Sequence, residues 1–141
     1  MAMEVVAVNL VAVVVAAVAS MIIGMVWYSP MLFGKAWMSM MGWTEKDVEK
    51  MKKAGMTMGY VLSFVGALIM AYVLAHILQF SGARTLVEGL QGAFWVWLGF
   101  VATLTLGAVT WEGKSWNWWL LMNGHHLLSM LVMGAVLVSM A

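Results

Sequence analysis

Four stretches of this chain, residues 5–26, 57–78, 89–110 and 118–140, contain no Asp, Glu, Lys or Arg. Each is about 22 residues long, and about 20 helical residues cross the roughly 30 Å hydrocarbon core of a bilayer. The overall makeup agrees, since 65% of the 141 residues are hydrophobic and 9% are charged, far from soluble globular usage. The expected fold class is an all-α integral membrane protein, with four transmembrane helices in a bundle and a partly helical interfacial first loop over 28–56. One domain, 1–141, takes in the whole chain, because four spans leave too little sequence for a second. The net charge of +1 gives no nucleic-acid footprint. Cysteine is absent, which excludes disulfides and thiol chemistry.

The first stretch has one feature of a signal peptide, Ala17-Val18-Ala19 before Ser20. It lacks a basic amino-terminal region, carries Glu4, and stays apolar beyond that point through Val26, so a retained span is expected. Basic residues set the orientation. Lys35, Lys46, Lys50, Lys52 and Lys53 lie in the first loop and Lys114 in the third, against Arg84 alone in the second. The first and third loops are therefore expected in the cytoplasm, with both termini on the periplasmic or exterior side. Trp27, Tyr28, Trp37, Trp43, Trp111, Trp116, Trp118 and Trp119 flank the same ends and read as interfacial anchors.

Residues 28–56 exceed the roughly two to eight residues usual between bundle helices, so structure of their own is expected. Ser29-Pro30 ends the first helix, and 31–38 is apolar enough to lie in the interface. A second short helix follows, with Thr44 as cap, Glu45 and Asp47 in its first turn, Lys50, Lys52 and Lys53 in its last, and Gly55 closing it. This loop is a possible docking surface for a protein partner; the plainer reading is that its lysines rest on an anionic leaflet.

Small residues recur every four positions: Ala12, Ala16, Ser20 and Gly24 in span one; Gly55, Gly59, Ser63, Ala67, Ala71 and Ala75 at span two; Gly99, Thr103 and Gly107 in span three. Such stripes let helix backbones approach in lipid, within one chain or between copies. Four short helices cannot enclose a wide pathway, and a homo-oligomer is expected. The sixteen methionines lack a ligand-like repeat and read as adaptable packing, not a copper site. Gly34-Lys35-Ala36-Trp37 after span one is echoed by Gly113-Lys114-Ser115-Trp116 after span three. A true repeat would relate two helix pairs about the membrane normal; chance matching of abundant Gly and Trp is the plainer account.

The segment Trp27-Tyr28-Ser29-Pro30-Met31-Leu32-Phe33-Gly34-Lys35-Ala36-Trp37 resembles the signature after the first span of the small bacterial membrane proteins called domain of unknown function 1761. Gly124-His125-His126-Leu127 with Met133-Gly134 is similar to that family's last helix, whose pattern has an aromatic, often Tyr, at the place of His125. The resemblance runs nearly end to end. It implies a four-span bacterial membrane protein with an interfacial signature at Trp27, Tyr28, Pro30, Gly34, Lys35 and Trp37, and it implies no activity.

Function is sought in the polar run Asn123-Gly124-His125-His126, since polar groups at bilayer depth face protein, cavity or ligand. Adjacent helical side chains diverge by about 100°, so His125 and His126 do not chelate one ion. Asn123, His126 and Ser129, each three apart, form the candidate polar strip. His125 and His76 are secondary candidates. They lie roughly 12 Å and 28 Å from the cytoplasmic ends of their spans, too far apart for bis-histidine haem in one subunit. No catalytic constellation or metal-ligand spacing is present, and neither a cofactor nor enzyme activity is expected. The strip can serve as a binding point or proton relay; the plainer reading is hydrogen bonding across helices to Thr103, Thr105, Ser63 or backbone carbonyls. The expected function is a non-enzymatic oligomeric interaction or scaffolding protein. The alternatives are a small-molecule or ion pathway along the fourth helix, and binding of a lipid, quinone or pigment.

Overall fold

A computed structural model describes residues 7–141. Its helices are α1 (Leu10–Trp27), α2 (Gly34–Met41), α3 (Glu45–Ala54), α4 (Thr57–Phe80), α5 (Leu86–Val96), α6 (Thr103–Thr110) and α7 (Trp116–Ser139), with a π-helical segment, Trp97–Ala102, joining α5 to α6. Four helices are long and apolar enough to cross a membrane: α1, α4, the continuous Leu86–Thr110 and α7. All four expected spans are present. Their chain directions alternate, so one end of the bundle carries the first loop and the other carries the chain termini.

Helix boundaries follow local capping chemistry. Asn9 accepts from the N–H groups of Val11 and Ala12 and so starts α1 at Leu10, five residues later than the charge-free stretch suggests; residues 5 and 6, like Glu4, lie outside the described residues. The Asn9 amide also donates to the carbonyl of Met140 (2.7 Å), tying the start of α1 to the end of α7. Thr85 and Ser115 cap α5 and α7. The expected helix in the first loop is α3, where Thr44 and Asp47 form a reciprocal capping box and Gly55, at φ 92°, ends it. Gly42, at φ 70°, terminates α2 in the left-handed region.

Packing runs α4, α1, α7, third span. α1 lies between α4 and α7, and α7 between α1 and α5. The core is densest toward the termini end, where Ala12, Ala16, Ala71, Ala75 and Ala93 let the helices close on Leu74, Met130, Met133 and Leu137. Backbone meets backbone at Gly89 and Gly134: a Cβ on Gly134 would stand 2.6 Å from the Gly89 carbonyl oxygen and 2.9 Å from the Ala93 Cβ. Small residues serve here as bilayer packing requires, since lipid supplies no hydrophobic force between helices. The stripe of span one is used over its full length. That of span two is used only at Ala67, Ala71 and Ala75, because α4 leaves the bundle toward the first loop; Gly59 and Gly66 have no neighbour within 4 Å of where a Cβ would stand, and neither do Gly99 and Gly107 in span three.

Two departures from ideal geometry position the site. The π segment absorbs about one extra residue, a rotation of about 100°. Thr105, twelve residues after Ala93, would otherwise point about 120° away from it; with the π turn the offset falls to about 20°. The third span thus keeps Gly89, Ala93, Ala102 and Thr105 toward α7. α1, with 18 residues against 24 in α7, is also about 9 Å shorter at 1.5 Å per residue. The signature segment and α2 fill the space beneath its end, and α2 packs on α7. The Gly-Lys-x-Trp echo is no structural repeat: Gly34 opens α2 and is buried, whereas Gly113 sits at φ 75° in the turn before α7.

Candidate functional site

The last span distributes its polar groups over two neighbours. Asn123, 1% exposed, donates through Nδ2 to Thr105 Oγ1 (3.0 Å) and to the Trp119 carbonyl (3.1 Å). Thr105 in turn donates to the Val101 carbonyl (2.8 Å), within the π segment. Ser129, 4% exposed, meets Ser20 of α1 hydroxyl to hydroxyl at 2.9 Å. The single strip expected from Asn123, His126 and Ser129 is therefore corrected to two separate contacts. Six residues of helix separate Asn123 from Ser129, a rotation of about 120°, so one faces the third span and the other α1. His126 lies between them, half-buried.

His125 proves the more structured of the two histidines. Its ring lies under the end of α1, 5.2 Å from Tyr28 in an edge contact, 6.3 Å from Trp27, and 5.2 Å from His126. A Cβ on Gly24 would stand 3.2 Å from His125 Nε2, and one on Gly124 would stand 3.0 Å from the Trp27 ring. Each helix thus supplies a glycine floor for the other's ring. His125 Nδ1 and Nε2 and Trp27 Nε1 are buried and have no hydrogen-bond partner among the described residues. Tyr28 donates to Met122 Sδ (3.1 Å), a weak acceptor, and burial pushes its phenol up, so it stays protonated.

The signature residues build the cover over this histidine. After Tyr28 the chain turns back, with Phe33 N–H donating to the Trp27 carbonyl and Gly34 N–H to that of Ser29. Gly34 is required there, because a Cβ would stand 2.5 Å from the Tyr28 carbonyl oxygen. Phe33 packs on Trp27 (4.6 Å), Trp37 on Tyr28 (5.4 Å) and Trp43 on Trp37 (4.7 Å). The rings of Trp27, Tyr28, Trp37 and Trp43 turn toward one another and are half-buried, unlike Trp111, which is 89% exposed, so the aromatic residues at this end do not all point outward as a uniform belt would. Pro30 and Lys35 are exposed. His76 lies in the other half of its span, bonded to its own Tyr72 carbonyl (2.8 Å) and stacked with Tyr72 and Phe80, away from the cluster.

Chemically, the cluster is donor-rich and closed. His125 Nε2 faces the α1 backbone at Gly24, which leaves no space for a haem iron on that nitrogen. Among the described residues no three His, Cys, Asp or Glu side chains gather as a metal site. Thr105 is among the partners that the sequence offers Asn123, whereas Ser20 stands out in sequence as a small residue of a stripe and nothing there pairs Asn9 with Met140, although Asn before an apolar run is a capping signal.

No curated protein and no solved structure matches the chain. A family model matches residues 11–138, from the second residue of α1 to the last but one of α7, and so takes in every span and the signature that covers His125. The chain belongs to the family described as Protein of unknown function (DUF1761).

Proposed function

We propose that this protein is a non-enzymatic, self-associating interaction protein of the bacterial cytoplasmic membrane, its lysine-bearing loops on the cytoplasmic side. The observation that carries the reading is the first-loop half of α4. From Thr57 to Gly66 every residue but Phe64 is exposed, and the small residues Gly59, Ser63 and Gly66 lie about 3, 9 and 14 Å from its end. Gly107, Thr103 and Gly99 of the third span lie about 4, 10 and 16 Å from the same side. Two small-residue stripes, matched in depth and open on different spans, suit a contact between α4 of one copy and the third span of the next. A solute pathway would need polar side chains converging on a hydrated cavity; Asn123 and Ser129 engage Thr105 and Ser20 instead, which weighs toward a structural role for them.

The cysteine-free chain makes the test direct. Ser63→Cys and Thr103→Cys proteins, prepared separately and mixed in vesicles, are expected to give a disulfide-linked dimer on oxidation. Ser20→Cys with Ser129→Cys in one chain, 2.9 Å apart as hydroxyls, should close within the monomer and confirms that oxidation works. Absence of the mixed dimer while that control closes sinks the proposed interface.

A further inference from the structure

We infer that α3 is a docking helix for an anionic phospholipid surface, gripped through Lys50 and Lys52. The helix is well capped at both ends, yet none of its residues is buried and it packs extensively against no other helix among the described residues. A ten-residue helix without a surface is marginal in water, where about 12–15 residues are needed even for favourable sequences. Something must therefore cover one face.

The face and its partner follow from position and charge. At about 100° per residue, Val48, Met51 and Ala54 form a stripe about 120° wide, and Lys50 and Lys52 stand about 40° beyond its two edges. Asp47 falls within the same sector, but its carboxylate is turned back onto the Thr44 backbone N–H (2.8 Å) and hydroxyl (3.0 Å). A narrow apolar stripe between two lysines suits a helix lying at the boundary of acyl chains and headgroups, with the ammonium groups reaching phosphates. Tethering fixes the depth: Gly55 and Met56 alone separate α3 from Thr57, the first residue of a membrane span. The lysine-rich end is the tethered one, and Glu45 and Asp47 lie at the far end. An uncharged or basic partner face would leave the two lysines without that match, and the anionic surface already within reach of a helix tethered this close to a span is that of the lipid.

The test uses the full-length protein in nanodiscs of phosphatidylcholine alone or with phosphatidylglycerol, reading amide hydrogen exchange over residues 45–54. Slower exchange by about tenfold or more is expected with the anionic lipid, lost in 1 M salt, where the screening length is about 3 Å. Lys50→Gln with Lys52→Gln should remove most of that slowing, since each lysine near an anionic surface is worth about fivefold. Lys46→Gln with Lys53→Gln, the same charge change on the opposite face, should remove far less. Equal exchange in the two lipids overturns the inference, as does slowing that occurs only in discs holding more than one copy. Equal loss from the two lysine pairs would also overturn it, because it would show general charge attraction without a docked face.

Discussion

Replacing His125 with leucine should stabilise the protein by about 1 kcal/mol, balancing relief of two unpaired nitrogens against loss of ring contacts. A neutral imidazole carries one donor and one acceptor, and both nitrogens of His125 are buried without a partner among the described residues. An unsatisfied buried polar group costs about 1–3 kcal/mol, and the lower bound applies because an unfolded chain within a bilayer also finds partners. Removing both therefore yields about 2 kcal/mol, from which the ring contacts with Tyr28 and Trp27 subtract about 0.5 kcal/mol each. Phenylalanine would be the wrong probe, since its ring reaches farther than imidazole and the Gly24 floor is already tight. Equilibrium unfolding in mixed detergent and lipid measures the difference. Asn123→Leu serves as the counterpart, with an expected loss of about 1–2 kcal/mol, because two hydrogen bonds disappear while Thr105 keeps its own bond to Val101. A His125→Leu protein less stable than wild type by more than about 1 kcal/mol would refute the reasoning, for the imidazole would then be hydrogen-bonded in the bilayer.

Two further perturbations probe packing and pH. Gly134→Ala should cost about 2–3 kcal/mol despite the better helix propensity of alanine, because the new Cβ meets the Gly89 backbone, which cannot step aside; an unchanged unfolding midpoint would disprove the close approach of α5 and α7. Backbone and side-chain hydrogen bonds from Thr44 hold the Asp47 carboxyl below the usual carboxylate range. Its capping support for α3 is thus complete above the ordinary carboxylate pKa and fades as pH falls through the lowered one. Amide exchange in α3 should speed up only under strongly acidic conditions, and Asp47→Asn should abolish that pH dependence; a transition near neutral pH would point to a different group.

The sequence by itself determined the class, the four spans and the helix inside the first loop, because each rests on short-range physics. Charge excluded over a bilayer's thickness marks a span, and Thr44, Asp47 and Gly55 encode the boundaries of α3 whatever surrounds them. It also marked Asn123 and the histidines as the residues most in need of partners. Which partners they find was decided only in three dimensions. The π turn that aims Thr105 at Asn123 has no sequence signature comparable to a cap, and it matters only because α7 stands beside it. The shortness of α1, set by Asn9 at one end and by the turn at Tyr28 at the other, lets the signature fold beneath that helix and close over His125. The small-residue stripes look alike in sequence, yet one is filled, one half-filled and one open, because close packing depends on where helices diverge, and no residue records that alone.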